Sequence, residues 1–525
     1  IVDITARDRK RFKKLREDSH RFENLPIKTR LSEVEVARFA ANRFRFPGVD
    51  INARLFRNYP QGLSASHVVG YIGRINDKDI EKLEADGKLP NYRGSDHLGK
   101  IGLEESFEEE LHGRTGLEQV EIDAGGRAIR SLSREEPVAG NNLILSLDLK
   151  LQQIAEKAFG KYRGSLVAID PKTGEVLASV SQPGFDPNLF VDGIDQVHWD
   201  EYNNSEDKPL NNRALRGVYP PGSTIKPFMA LAGLYYGKRS PATTIFDPGY
   251  FTLSGSSHQY RCWKSGGHGA VDLKKSVVIS CDTYYYGLAN ELGIDRMHEF
   301  LSRFGFGKQT GIDVKDEVSG NLPSKEWKQR RFKQAWYPGE TVIAGIGQGY
   351  TLVTPMQLAH ATAIIAGNGI SIRPHFVKAI QNSQTGEINS IDCPKEQPFP
   401  FKPEDLALVR DAMVAVTLPG GTAARAAAGA PYTFGGKTGT AQVKSIKQGE
   451  KYNEKTVEER YRDHALFIAY APANDPTIAI GMIVENGGHG GSTAAPIARQ
   501  VLDYHLLGKV PASQIEEAAV EEEHD

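Results

Sequence analysis

The chain has 525 residues, of which 39% are hydrophobic and 25% are charged, and its formal net charge is -2. This length and balance are typical of a globular protein of about two to four domains, and they give no general reason to expect a nucleic-acid partner. Three cysteines are too few for a disulfide scaffold, and no apolar stretch approaches the ~18 residues of a membrane span.

The two ends of the chain differ in charge. Residues 1–60 hold 15 Lys and Arg against 8 Asp and Glu, whereas six acidic residues and no Lys or Arg follow Lys509. For the basic end, we expect a solvated helical face over Arg7 to Arg21 in preference to a surface for nucleic acid or anionic lipid. The tail, 509–525, is predicted to be disordered. Because the chain opens with Ile1 in what reads as mid-protein sequence, we expect a membrane anchor to be missing from it.

The N-terminal part predicts short helices and extended pieces. A helix is expected over Ser32 to Phe46, with Ser32 as N-cap and Glu35 completing a capping box. A second helix is expected over Gly102 to Leu111, and strand-like alternation follows from Leu117 to Ile129 around Gly125-Gly126. Nothing before about residue 140 assembles a nucleophile, a base and a group that orients the base.

The pattern changes after Asn142, where hairpins appear among long helical stretches. Hairpins indicate an antiparallel sheet, so the predicted fold class is α+β, with an elongated pedestal or dimerisation-like domain over 1–142 and a second domain over 143–508. The predicted elements are a strand Leu143–Leu147, a helix capped by Asp148, a hairpin of Ser165–Asp170 with Glu175–Val180, a hairpin of Ala465–Ala471 with Thr477–Val484, and a helix Ala494–Leu507.

Residues 219–227, with the sequence YPPGSTIKP, carry a serine and a lysine three positions apart. Pro-Gly breaks the chain and an apolar helical run follows, which places Ser223 in a first helical turn. Positions i and i+3 share a helix face, so Lys226 is expected beside the Ser223 hydroxyl as the base that activates it. That role requires burial or nearby positive charge to lower the pKa of the lysine. Taken alone, S-x-x-K more often marks an exposed helical turn.

A second motif is Gly435-Gly436-Lys437-Thr438-Gly439-Thr440. It does not have phosphate-loop spacing, because Pro431 stands where the first glycine would be, and the flanking alternation favours a strand at a sheet edge. We expect Lys437 to supply the positive charge that keeps Lys226 neutral, and Gly439 to let a substrate backbone approach. A glycine-rich hairpin without a function fits this segment about equally well.

The third motif is Ser280-Cys281-Asp282, 57 residues after Ser223. Ser280 is placed to relay a proton to or from Lys226, and Asp282 to fix the geometry. Three short motifs in the order S-x-x-K, S-x-[DN] and K-T-G are far more specific than any one of them. Together they are the motif set of penicillin-binding proteins and serine β-lactamases.

Further segments make the resemblance closer, and it extends from about residue 24 to 507. The chain resembles a class B penicillin-binding protein, most of all the penicillin-binding protein 2 branch that acts in rod-shape elongation. The segments that carry the likeness are PLNNRAL at 209–215, GQGY at 347–350, RNYP at 57–60, GYIG at 70–73 and GKIGLE at 99–104.

The resemblance implies roles for the motif residues. The implied catalytic residues are Ser223, Lys226, Ser280, Asp282 and Lys437, and the implied substrate-binding residues are Thr438, Gly439 and Thr440. Many relatives have Asn in place of Asp282. The backbone N–H groups of Ser223 and Thr440 are expected to form the oxyanion hole.

The resemblance also implies an activity and a location. The expected activity is that of a serine-type D-Ala–D-Ala transpeptidase or carboxypeptidase that cross-links peptidoglycan stem peptides during lateral wall synthesis and is acylated by β-lactams. The expected partners are a SEDS glycosyltransferase, RodA, and the scaffold protein MreC, and nucleic acid is not among them. The expected location is the inner membrane, with the catalytic domain in the periplasm.

Four possible metal ligands lie within 35 residues of one another: Asp247, Cys262, His268 and Cys281. One carboxylate, two thiolates and one imidazole would complete a closed, structural zinc site, although the spacing is not that of a standard finger. A Cys262–Cys281 disulfide and a buried free thiol are the alternatives. Some relatives of penicillin-binding protein 2 carry zinc near this motif, so the resemblance favours zinc. A metal there is expected to fix the backbone that aims Ser280.

Two other functions share these motifs. A β-lactamase would hydrolyse the acyl-enzyme, but no E-x-x-L-N-like element follows Ser280, and the chain is about twice the length of a single hydrolase domain. A non-catalytic β-lactam sensor or scaffold is the second alternative. Intact motif residues argue against a scaffold that has lost its activity.

Overall fold

A computed structural model describes residues 1–18, 25–53, 55–123, 128–393, 395, 399, 401–444 and 457–510. Residue contacts divide the chain into two units, the first of Ile1–Asn58 with Thr115–Val138 and the second of Tyr59–Arg114 with Ala139–Asp525. The predicted division after residue 142 stays a prediction. Gly125-Gly126 and residues 511–525 of the predicted tail lie outside the described residues.

The elements are numbered in chain order. Strands β1 to β16 are Tyr71–Arg74, His97–Ile101, Leu117–Ile122, Ala128–Glu135, Asn142–Leu145, Gly164–Ile169, Val176–Gln182, Ile245–Asp247, Tyr250–Phe251, Tyr260–Arg261, Gly269–Val271, Val377–Gln381, Ile388–Ser390, Gly435–Ala441, His464–Ala471 and Ile478–Val484. Helices α1 to α20 are Ala6–Asp18, Glu33–Asn42, Ser66–Val69, Asp77–Ala85, Leu89–Tyr92, Gly102–Ser106, Glu108–His112, Leu149–Phe159, Asn188–Val191, Gln196–Asn204, Arg213–Arg216, Lys226–Tyr235, Leu273–Val278, Asp282–Ser302, Lys325–Phe332, Pro338–Ala344, Pro355–Ala366, Pro403–Thr417, Ala424–Ala427 and Ala494–Leu507. Short 3-10 turns cover Arg43–Arg45, Gly222–Ile225 and Glu459–Tyr461.

The first unit contains α1, α2 and the antiparallel hairpin of β3 with β4. The predicted capping box of α2 is confirmed, since the Ser32 hydroxyl accepts the Glu35 N–H and the Glu35 carboxylate accepts the Ser32 N–H. The helix ends at Asn42, four residues before the predicted end at Phe46, and a 3-10 turn follows. Pro47 disfavours a helical conformation at Phe46, which explains the earlier end.

The helix predicted over Gly102 to Leu111 is two short helices, α6 and α7. Phe107 separates them with φ -112° and ψ 27°, outside the helical range. Periodicity alone did not indicate this break, because the apolar residues on both sides remain helical in spacing.

The second unit is built on a five-stranded antiparallel sheet. The strand order is β14-β15-β16-β6-β7, so the hairpins predicted near residues 165–180 and 465–484 are both confirmed and lie side by side. The predicted α+β fold with helices flanking an antiparallel sheet is confirmed. The Asp148 carboxylate accepts the Leu151 N–H and begins α8, as its N-cap position predicted.

Helices cover the sheet so fully that its central strands are buried along their length. Every residue of β16 is buried, which is why its sequence is continuously apolar and does not alternate. Gly481 permits α17 to cross at close range, since a Cβ there would lie 2.3 Å from the Ala359 nitrogen. At the sheet edge, α18 packs on β14, and α12 packs on α14. This packing brings the three sequence motifs to one edge of the sheet.

Candidate active site

Ser223 lies in the 3-10 turn that leads into α12, close to the edge strand β14. Gly222 has φ +52°, and a Cβ on it would lie 2.4 Å from the Thr440 carbonyl oxygen. The Gly222 N–H donates to the Gly347 carbonyl at 2.9 Å. A glycine is therefore required before Ser223, because the turn has a left-handed residue and packs directly on the strand.

Lys226 is the first residue of α12, and its side chain is fully buried. Its Nζ donates to Asp282 Oδ1 at 2.7 Å, to the Ser280 carbonyl at 2.9 Å and to Ser280 Oγ at 3.1 Å. Among the described residues, its hydrogen bonds go to the second motif and not to the Ser223 hydroxyl. Lys226, which was predicted to lie beside the Ser223 hydroxyl, therefore forms an ion pair with Asp282 in this structure.

Ser280 lies between two lysines. Its hydroxyl accepts Lys226 Nζ and also Lys437 Nζ, the latter at 2.9 Å. Its backbone has φ +57°, a left-handed conformation that costs about 1–3 kcal/mol outside glycine and persists only where surrounding contacts hold it. A hydroxyl that contacts both amines is placed to move a proton between them.

Lys437 is the fully buried lysine of β14, and its Nζ also donates to the Thr438 carbonyl at 2.9 Å. Burial, and next the charge of Lys226, hold the pKa of Lys437 well below its usual range, although Asp282 opposes this. This differs from the expectation that Lys437 carries the positive charge. The Asp282 carboxylate is hydrogen-bonded to Lys226, whereas burial is the main cause that lowers the pKa of Lys437.

Strand β14 contains Thr438, Gly439 and Thr440, the three predicted substrate-binding residues. A Cβ on Gly439 would lie 2.8 Å from Thr224 Cγ2, so the missing side chain makes room for the turn that carries Ser223. Sequence reasoning had assigned that space to the substrate. The Thr438 hydroxyl is hydrogen-bonded to the Thr422 hydroxyl at 2.7 Å.

Gln348 contacts β14, and the three motifs did not predict this contact. Its Nε2 donates to the Thr440 carbonyl at 3.1 Å, near the end of β14. The GQGY segment gave a signal only through the family resemblance, since no spacing rule connects residues 92 positions apart.

The four possible metal ligands come together beside the second motif. Their ligand atoms lie within 4.8 Å of one another: Asp247 ends β8, Cys262 follows β10, His268 precedes β11 and Cys281 is the N-cap of α14. His268 Nδ1 is 2.7 Å from Asp247 Oδ2 and 3.5 Å from Cys262 Sγ, and the Cys281 thiol donates to Asp247 Oδ2 at 3.3 Å.

The donor set fits zinc. Both cysteines are free and buried, so the alternative disulfide is not formed in this structure. The interaction with the Cys281 side chain, against the effect of burial, lowers the pKa of Cys262 to about 6, and the same interaction together with burial raises the pKa of Cys281. Burial alone would raise the pKa of Asp247, but hydrogen bonds, first from Thr283, hold it below its usual value. A tetrahedral site of carboxylate, imidazole and two sulfurs is within the range of structural zinc centres.

The fold and this site define a class of protein. A family model of the penicillin binding protein transpeptidase domain matches residues 164–503, and one of the penicillin-binding protein dimerisation domain matches residues 2–145. The chain belongs to the penicillin-binding protein transpeptidase family.

Within this family, individual relatives show that the chain is similar to penicillin-binding protein 2. The peptidoglycan D,D-transpeptidase MrdA of Escherichia coli K12 is 45% identical over 532 residues, which is 99% of this chain and 83% of that protein. A crystal structure of Pseudomonas aeruginosa PBP2 with WCK 5153 is 43% identical, covers 88% of this chain and 94% of its own, and has a TM-score of 0.76. PBP2 in its complex with MreC from Helicobacter pylori is 31% identical with a TM-score of 0.81, covering 94% of this chain and 87% of its own.

Proposed function

We propose that this chain is a peptidoglycan D,D-transpeptidase that cross-links stem peptides through an acyl-enzyme on Ser223. The observation that carries the proposal is the hydrogen-bonded line of Lys226, Ser280 and Lys437, buried beside the turn that presents Ser223. Two amines joined by one hydroxyl supply both a base for the serine and an acid for the leaving group.

The proposed reaction has two acyl transfers. Ser223 Oγ attacks the carbonyl carbon of the penultimate D-Ala, and Lys226 takes the hydroxyl proton once its own proton has passed through Ser280 to Lys437. The C–N bond to the terminal D-Ala breaks, and the leaving amine receives a proton from the same relay. An amine of a second stem peptide then attacks the ester, forms the cross-link and returns the Ser223 hydroxyl. In both steps, the Ser223 and Thr440 backbone N–H groups are proposed to stabilise the oxyanion.

The test of this function is the lifetime of a penicillin adduct. Incubation with benzylpenicillin is expected to add one drug mass per chain, because acylation opens the lactam without losing atoms, and peptide mapping is expected to place it on Ser223. Intact-protein mass spectrometry over time is the measurement. The adduct should persist for about an hour or longer, because no E-x-x-L-N-like element, which a β-lactamase would use to activate water, follows Ser280 in the sequence.

Other outcomes distinguish the competing functions. Turnover of the adduct within seconds would indicate a β-lactamase. Absence of any adduct on folded protein would favour a scaffold. Cross-linking of a synthetic stem-peptide donor and an amine acceptor, followed by chromatography, separates a transpeptidase from a β-lactam sensor, because a sensor forms the adduct without forming the cross-link.

We further propose that Asp247, Cys262, His268 and Cys281 bind one structural zinc ion. Four protein ligands leave no position for a reactive water, so the ion would supply rigidity and no step of acyl transfer. Its effect on catalysis would be indirect, because Cys281 is bonded in sequence to both Ser280 and Asp282.

Removal of one ligand tests the zinc proposal. Purified protein is expected to hold about one zinc per chain, and Cys281→Ala to hold about tenfold less at equal free zinc and to melt several degrees lower. Its acylation rate should fall as well. Elemental analysis, calorimetry and penicillin acylation are the measurements, and Cys393→Ala, at a cysteine outside the cluster, is the matched control. Normal melting and acylation in Cys281→Ala would contradict the proposal.

Partners and location are inferred from family membership. The Helicobacter pylori PBP2 complex with MreC supports an MreC-like scaffold as a partner of this chain. A RodA-type glycosyltransferase is proposed to supply the glycan strands, and the inner membrane with a periplasmic catalytic domain is the proposed location. Within the described residues, no helix has both the length and the apolar character needed to cross a bilayer. Failure of the purified chain to bind soluble MreC in a calorimetric titration would contradict the scaffold assignment.

A further inference from the structure

Trp263 holds both ends of the Ser280-Cys281-Asp282 motif. Its backbone N–H donates to Asp282 Oδ2 at 2.9 Å. Its indole Nε1–H is shared between the carbonyls of Ile279 and Ser280, each at 3.1 Å. A single residue outside the three motifs therefore fixes a carboxylate and a backbone carbonyl that both also bind Lys226.

The backbone at Ser280 is held from two sides. The residue lies between the end of α13 and the start of α14 with φ +57°. The N–H groups of Ser280 and Cys281 donate to carbonyls of α13, whereas the carbonyls of Ile279 and Ser280 are bound by Trp263. The side chain of Ser280 leaves the same Cα as the carbonyl that Trp263 binds. A rotation of that peptide would move Oγ away from the two lysine amines, and small displacements of a catalytic group cost large factors in rate.

The exposure of Trp263 points to the same role. Its side chain is 62% exposed, whereas the residues on either side of Ser280 are half-buried or buried. A tryptophan so exposed contributes little by removal of apolar surface from water. Its indole N–H, by contrast, donates to the backbone carbonyls of Ile279 and Ser280.

We propose that Trp263 is a positioning residue for acylation, whose indole N–H holds Ser280 in line between Lys226 and Lys437. It acts on the rate of the chemical step and not on the affinity for the substrate. Because the indole N–H contacts backbone carbonyls only, a tryptophan is required for its donor geometry and not for contact with the reacting atoms.

The test replaces Trp263 by phenylalanine, which keeps an aromatic ring and the backbone N–H but removes the indole donor. Stopped-flow acylation by a chromogenic β-lactam separates the noncovalent Kd from the acylation rate constant. The expected result is a fall in the rate constant of at least about tenfold with Kd changed by less than about twofold.

Trp336→Phe is the matched control, because the Trp336 indole also donates one short hydrogen bond, to the Thr341 hydroxyl at 2.8 Å, away from the three motifs. Its rate constant should stay within about twofold of the unmodified protein. An equal rate in Trp263→Phe would overturn the proposal. A raised Kd with an unchanged rate constant would also overturn it, since the ring would then be a platform for the substrate.

If Trp263→Phe loses metal or melts at a lower temperature, a second variant tests the loss of the same indole N–H donor. Incorporation of 3-benzothienylalanine at position 263 keeps the size and shape of the indole and puts sulfur in place of the N–H. A tenfold lower rate constant with normal melting supports the proposal. A rate constant equal to that of the unmodified protein overturns it.

Discussion

Replacement of Ser223 by alanine is expected to abolish covalent labelling by penicillin, with a fall in acylation rate of at least about 10⁴-fold. The variant keeps the turn and loses only the oxygen that forms the ester. The Ser280 hydroxyl is not an equivalent nucleophile, since its oxygen accepts hydrogen bonds from two lysine amines. Intact-protein mass spectrometry and gel labelling with a fluorescent penicillin are the measurements.

Ser165→Ala is a suitable control for the serine substitution. The Ser165 hydroxyl is buried in β6 and has no hydrogen-bond partner among the described residues, so its removal should leave both folding and labelling intact. Ser223→Ala should melt at the temperature of the unmodified protein. Covalent labelling of Ser223→Ala at a rate near that of the unmodified protein would move the nucleophile to another residue and contradict the proposed function.

Replacement of Lys226 by methionine is expected to lower the acylation rate by about 10³-fold, the range for loss of a general base. Methionine fills a similar volume but removes the amine that contacts both Ser280 and Asp282. It also leaves the Asp282 carboxylate without its ion-pair partner, which is expected to cost about 3–5 kcal/mol of unfolding free energy. Single-turnover acylation and denaturant unfolding measure the two effects separately.

The chain offers a matched buried lysine for this experiment. Lys328 is 1% exposed and forms an ion pair with Glu340, as Lys226 does with Asp282, but it lies outside the three motifs. Lys328→Met should therefore show a similar loss of unfolding free energy with normal acylation by the folded protein. Equal losses of acylation in the two variants would show that instability alone explains the Lys226 result.

Much of the fold followed from local signals. The hairpins of β6 with β7 and of β15 with β16 were predicted because a turn and its two flanking apolar runs are adjacent in sequence. The starts of α2 and α8 were predicted because a cap acts within three residues. The break at Phe107 was missed, since it depends on packing and not on a residue that breaks helices.

The sequence also predicted some features of the site and not others. The position of Lys226 in the turn after Ser223 follows from helix geometry. The grouping of Asp247, Cys262, His268 and Cys281 could be anticipated because all four lie within a short segment that ends in the motif Ser280-Cys281-Asp282. The zinc assignment stays a proposal, and so do the catalytic roles.

The sequence by itself determined the order of the three motifs, the family resemblance and the antiparallel sheet, because each depends on residue type and short-range spacing. Only the tertiary structure decided which atoms meet: Lys437 reaches Ser280 across 157 positions, and Lys226 reaches Asp282 across 56. It also decided that burial lowers the pKa of Lys437 and that the Trp263 indole donates to the Ser280 carbonyl. Contacts and burial of this kind depend on how the elements pack, and no local spacing rule fixes them.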